Sequence, residues 1–216
     1  MTDQARTCRA TTALAARGEG QAAASLGALA VQHSPLPADG PLSPLAAAID
    51  QHGGCVPLPY GQGQCWVART GEAVSGMLYA TPPIRWLQQQ PPPHRNDLIH
   101  FLIEIELLAV AEPHRTQGVG TALLQEAENT AHANGTHLAL AKIRIGAFPI
   151  MRWYRRRGYT IAAQNEPLVF ATRHGLTSCD DGSDGYQLAA KALQPGTTLR
   201  RTARGGTPLI LLERDT

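Results

Sequence analysis

Residues 99–135 hold the feature that most limits what this chain can fold into. An apolar run from Ile99 to Val110 leads through Glu112-Pro113-His114 into Arg115-Thr116-Gln117-Gly118-Val119-Gly120. A stretch of helical periodicity follows, with Val119, Ala122, Leu123, Ala127 and Ala131 on one face and Asn134-Gly135 as its stop. His137 to Ile143 then reads as a second apolar strand. A strand, a crossover helix and a strand place the two strands parallel in one sheet. The glycine loop between the first strand and the helix brings backbone N–H groups to a helix N-terminus, where negative charge is favoured.

The common nucleotide loops do not fit this one. A dinucleotide fingerprint requires a third glycine where Leu123 stands, and a phosphate-binding Gly-Lys-Ser or Gly-Lys-Thr is absent. Upstream, Cys65 to Ala68 and Ala73 to Tyr79 flank Thr70-Gly71-Glu72 as a hairpin. The segment Thr81 to His100 contains Pro82, Pro83 and Pro91-Pro92-Pro93 and reads as an extended, stiff loop. Downstream, Phe148 to Arg157 is a short helix closed by Gly158, Tyr159 to Ala163 begins a strand, Thr177 to Gly185 is a polar loop, and Pro208 to Leu212 returns as a last strand.

All eleven aromatic residues lie between Tyr60 and Tyr186, whereas the first fifty residues hold fourteen alanines and none of the aromatics. This divides the chain into an Ala/Pro-rich extension over 1–50, partly helical or disordered with a linker at Ser34 to Pro44, and a folded unit over 51–216. The 21 glycines and 16 prolines exceed the average share and go into loops and flanks. A net charge of +2 excludes a strongly basic nucleic-acid binder on composition alone. Neither a membrane span nor a signal-peptide core can be drawn, so a cytoplasmic protein without membrane contact is expected. Cys8, Cys55, Cys65 and Cys179 have no metal-ligand spacing and read as reduced, with no metal expected.

Leu108-Ala109-Val110, then Arg115-x-x-Gly-x-Gly, and some thirty residues later Trp153-Tyr154-Arg155-Arg156-Arg157-Gly158-Tyr159 resemble the GNAT superfamily of acetyl-CoA-dependent N-acetyltransferases. The resemblance spans roughly Gln64 to Ala163. It implies an α/β (α+β) fold with a mixed, mostly antiparallel central sheet, helices on both faces and a strand splay that holds CoA. It also implies that the backbone at Leu108, Ala109 and Val110 pairs with the pantetheine arm, and that Arg115, Thr116, Gln117, Gly118, Val119, Gly120 and Thr121 take the diphosphate. Two positions depart from the pattern: Ala147 stands where many members carry Asn, and the loop proline is displaced to Pro113.

Acetyl transfer to an amine requires a neutral nitrogen, and a lysine-like amine with a pKa near ~10.4 is almost wholly protonated at neutral pH. Glu104 and Glu106, two apart on one strand, are the candidate bases, because two carboxylates on one face repel and one is driven toward a useful pKa. Glu104 also occupies the place of the catalytic glutamate in histone-acetylating relatives. His100 and His114 are the weaker candidates. The family position of the acid that reprotonates the departing thiolate is Tyr154, with Trp153 and Tyr159 expected in the core.

From Asp97 to Glu128 there are six acids against Arg115 alone, which favours a cationic amine acceptor. Between Asn129 and Asn165 there is no acid, yet Lys142, Arg144, Arg152, Arg155, Arg156 and Arg157 fall there. That patch permits a nucleic-acid acceptor, as in tRNA-directed toxins, without the net charge encouraging it. A non-catalytic CoA-binding module is the third reading. The acceptor expected is a small molecule, a protein N-terminus or a lysine, used by a monomer or homodimer.

Overall fold

A computed structural model of the chain describes residues 10–31, 42–179 and 185–214. Cys8, most of the proline-rich linker from Ser34 to Pro44, and the middle of the polar segment from Thr177 to Gly185 lie outside the described residues.

The expected hairpin is β3 (Gly61–Thr70) and β4 (Ala73–Thr81), antiparallel about Thr70-Gly71-Glu72. Strand β5 (Leu102–Val110) adds antiparallel to β4, and the crossover helix α5 (Val119–Ala133) returns the chain to β6 (Leu138–Arg144), parallel to β5 as expected. Beyond β6 lie β10 (Tyr186–Ala192) and the two-residue β7 (Thr160–Ile161), both antiparallel. On the far side of the hairpin, β1 (Thr11–Leu14) and β2 (Cys55–Leu58) both pair with β3, completing an eight-stranded mixed sheet.

Alternation along β6 separates two cores. Ala139, Ala141 and Ile143 pack under α5 and the short helix α6 (Phe148–Arg155) with Leu123, Leu124, Met151 and Tyr154. Leu138 and Leu140 face a second, four-stranded sheet in the order β11 (Thr197–Arg204), β12 (Thr207–Arg214), β8 (Leu168–Thr172), β9 (Gly175–Cys179). The strand expected at Pro208 to Leu212 is β12, in this added sheet and parallel to β8. Phe170 is fully buried between the sheets and stacks on Phe101 at 4.9 Å. Phe170→Ala is therefore expected to cost about 3–5 kcal/mol in urea unfolding; a loss below about 1 kcal/mol would mean that the second sheet adds little to the core.

Two expectations are corrected. The first fifty residues are no appendage where they are described: β1 extends the main sheet, and α1 (Gly20–Val31) and α2 (Ser43–His52) cover its other face through Ala23, Ile49, Val67, Met77 and Leu107. Alanine makes this contact legible only in three dimensions, because small side chains let helices approach closely without a strong hydrophobic pattern. A Cβ on Gly20 would lie 2.1 Å from the Ala46 carbonyl oxygen, so the α1–α2 contact depends on glycine there. The segment Thr81 to His100 is not an extended loop but carries α3 (Ile84–Gln88) and α4 (Pro92–Phe101). Pro92 and Pro93 open α4, where a missing N–H is no loss and the fixed φ is already helical. The Arg95 guanidinium closes the α3–α4 turn by donating to the Leu87 and Gln90 carbonyls at 3.0 and 2.9 Å.

Candidate active site

Pairing between β5 and β4 slips once. Ile105 faces Ala80 and Leu107 faces Tyr79, so Glu106 is the extra residue of a bulge. A bulge re-aims the side chain it carries. Pairing between β5 and β6 ends at Ile105–Ala141, and from Glu106 onward the two strands part. The opening is a cleft of about 830 Å³, with Leu108, Ala109 and Val110 of β5 on one wall and Lys142 and Ile143 of β6 on the other. Glu106, His114, the glycine loop and Tyr154 also line it.

The glycine loop closes one end. Thr116 and Gly118 both have left-handed backbones, at φ 63° and 86°, and Gly118 is the N-cap of α5. The first described bond into that helix runs from Ala122 N–H to the Gly118 carbonyl at 2.9 Å. The N–H groups of Val119, Gly120 and Thr121 therefore lack a carbonyl one turn back. Gln117 secures the turn by donating to the Pro113 carbonyl at 2.8 Å. Arg115 and Arg157 line the same end. Arg157 donates to the Thr121 hydroxyl, and its guanidinium lies 3.6 Å from the centre of the Trp153 ring. Unpaired amides, a helix N-terminus and two guanidinium groups make a cradle for a polyvalent anion.

Helix α6 forms the opposite flank. Met151 and Tyr154 are buried on its inner face, and Tyr154 meets Trp153 and Tyr159 edge-on, each at 4.9 Å. Burial, reinforced by the Glu128 carboxylate, raises the Tyr154 phenol above its ordinary range, so the hydroxyl keeps its proton at any working pH. Tyr159 is in the core as expected, but Trp153 is only half-buried and lines the cleft.

At the vertex of the opening, Glu104 and Glu106 lie on one face, as their spacing predicts, but in different surroundings. Glu104 is 5% exposed and ion-paired to Lys142 at 3.3 Å. Glu106 lines the cleft and accepts from the Thr81 hydroxyl at 3.4 Å. Burial first and the Glu104 carboxylate second push its carboxyl up to about 8, against the pull of Lys142, Thr81 and Arg85.

A model of the acetyltransferase (GNAT) domain matches residues 61–161. This stretch is similar to a GNAT acetyltransferase domain, whose enzyme class is that of the acyl-CoA N-acyltransferases. No curated protein matches the chain in sequence. Solved structures share the fold: a GNAT-family protein from Desulfovibrio desulfuricans is 16% identical over 86% of this chain and 99% of its own, with a TM-score of 0.54. A Salmonella typhimurium protein solved with its cofactor acetyl-CoA is 18% identical over 86% and 93%, with a TM-score of 0.53. The ribosomal-protein-S18-alanine N-acetyltransferase of Escherichia coli is 12% identical over 86% and 95%, with a TM-score of 0.52.

Within this GNAT-like stretch the cleft gathers most of the residues that the sequence singles out: Glu106, Leu108, Ala109, Val110, Arg115, Thr116, Gly118, Val119, Gly120, Thr121 and Tyr154. Glu104 sits behind it, and Gln117 turns its amide back to Pro113. Of the weaker candidates, His114 lines the cleft, whereas His100 lines a separate groove at the other end of β5. The excess of acid from Asp97 to Glu128 is partly cancelled, since Asp97, Glu104 and Glu128 pair with Arg173, Lys142 and Lys191. In the sequence Lys142 falls in the basic patch between Asn129 and Asn165, and nothing there marks Thr81 or Arg85. The signal for Lys142 was present, as the one charged residue within the apolar strand His137 to Ile143.

Among the described residues, no group of three or more His, Cys, Asp or Glu could hold a metal, and no helix is long and apolar enough to cross a membrane.

Proposed function

We propose that the protein transfers an acetyl group from acetyl-CoA to a primary amine by direct attack in a ternary complex, with Glu106 as base and Tyr154 as acid. The observation that carries this reading is the strand opening itself, which puts a carboxyl of raised pKa, a neutral phenol and an anion cradle on one cleft. The cleft suits acetyl-CoA: the amides of Val119 to Thr121 with Arg115 and Arg157 match a diphosphate, and the β6-facing edge of β5 at Leu108 to Val110, beyond the last rung of the β5–β6 ladder, matches an amide-bearing arm. When bound, acetyl-CoA supplies a thioester as the acyl donor.

Glu106, once ionised, takes the proton that the acceptor ammonium must lose, so that the nitrogen lone pair can form the new C–N bond. As the C–S bond breaks, the Tyr154 hydroxyl gives its proton to the sulfur, and the second proton that the attacking nitrogen must shed on becoming an amide passes to solvent. The products are an amide and a free thiol, and proton exchange with solvent resets both residues. Thr81 and Arg85 flank Glu106, so the α3 segment borders the place where the amine must enter.

The test is release of free thiol from acetyl-CoA against polyamines, aminoglycosides, amino acids, peptides and aminoacyl-tRNA, with initial rates varied in both substrates. Intersecting lines support direct attack; parallel lines, or no release with any amine, overturn the reading. Tyr154→Phe is expected to lower kcat about a hundredfold with KM for acetyl-CoA little changed, and an unchanged kcat removes Tyr154 from the mechanism.

One observation supports an amine carried on nucleic acid: Arg144, Arg152, Arg155 and Arg156 are exposed with no carboxylate paired to them among the described residues. In that case KM for aminoacyl-tRNA rises steeply with salt.

A further inference from the structure

Glu104 and Lys142 do more than fill the core. Register pairs Glu104 with Leu140 and Ile105 with Ala141, and Lys142 is the first residue of β6 beyond that last rung. The Glu104–Lys142 contact at 3.3 Å thus spans the two strands at the point where they separate. Glu106 is the bulge residue beside it. The charged and titratable groups that act on Glu106 come from each neighbouring strand and from the adjacent helix: Glu104 of β5, Lys142 of β6, Tyr79 of β4 and Arg85 of α3. From α1, the apolar Leu29 and Ala30 reach the cleft.

We propose that the Glu104–Lys142 ion pair is a positioning element which holds the vertex of the strand opening and sets the charge state of Glu106. Glu104 occupies the position of a catalytic glutamate in some relatives, but here it is ion-paired behind the cleft and acts through its neighbour. The inference rests on the reading of Glu106 as base for its kinetic consequence only. Lys142 favours the ionised form of Glu106, and Glu104 opposes it.

The two members of one ion pair therefore have opposite effects on Glu106. That separates this role from a purely structural one, in which breaking the same pair from either end would act in the same direction. The full chain labelled with ¹³C at glutamate carboxyls is titrated by NMR as wild type, K142M, K142R and E104Q, with E106Q used to assign the signal. Glu106 should titrate about one pH unit higher in K142M, about one lower in E104Q, and close to wild type in K142R. Shifts in the same direction, or none in K142M, overturn the proposal. If E104Q does not fold, K142M against K142R at the partly exposed end of the pair still decides it.

The pH–rate profile of each variant, run in parallel, tests the base reading separately. If the carboxyl titration moves as expected but the acidic limb of kcat/KM does not follow, the ion pair sets Glu106 and Glu106 is not the base.

Discussion

Glu106→Gln is expected to lower kcat by about two orders of magnitude, the usual contribution of a positioned base, and to remove the acidic limb of the pH–rate profile. In the wild type that limb should lie near the pH at which Glu106 loses its proton, about 8. The sign follows from the role: below about 8 the carboxyl is neutral and cannot accept a proton, so activity rises as the pH rises through that value. Stability moves the other way. The folded state holds this proton to higher pH than the unfolded chain, whose glutamate titrates at its ordinary value, so ionising Glu106 costs stability as the pH rises from that value to about 8. The glutamine variant should show a flatter stability curve over that window. Slow turnover with a flatter curve supports the assignment; wild-type turnover with an unchanged limb removes Glu106 and returns Glu104 as the candidate.

CoA should stabilise the fold through the cradle at the start of α5, and Gly118→Val should abolish that effect. A ligand at about a hundred times its Kd adds about 2.7 kcal/mol to a native state that alone binds it, which for a chain of this size raises Tm by roughly 5–10 °C. Gly118 sits at φ 86°, and nothing lies within 4 Å of a Cβ built there. The obstacle to valine is thus the backbone and not space. A left-handed conformation costs an ordinary residue about 1–2 kcal/mol, and a β-branched one resists it further. Relaxing that strain turns the amides of the loop away from the anion. Scanning calorimetry with and without millimolar CoA reads both effects. An unshifted wild-type Tm would overturn the cofactor assignment, and a Gly118→Val protein that still responds to CoA would show that the loop amides do not carry the binding.

The parts of this protein that were legible in the sequence are those in which neighbours along the chain decide the outcome. The β3–β4 hairpin, the parallel β5–α5–β6 unit and the glycine turn at Gly118 all follow from local periodicity and from the left-handed conformation that glycine accepts without a Cβ penalty. The alternation that put Glu104 and Glu106 on one face was equally plain.

Where long-range contacts decide, the same reasoning gave a different answer. Ala23 and Ile49 gain their stabilisation only against Val67 and Met77 on the central strands, so an alanine-rich N-terminus read as an extension. Pro91-Pro92-Pro93 begins a helix because Leu98 of that helix is buried against the second sheet's core, which no local rule requires. The two glutamates differ for the same reason. A lysine on the neighbouring strand claims Glu104, and a one-residue slip against β4 turns Glu106 toward the cleft. Neighbours along the chain are enough to specify the glycine turn, the crossover and the pair of candidate carboxylates. Which carboxylate faces the cleft follows from the folded strands, because desolvation and charge pairing depend on residues brought together across strands and not along one.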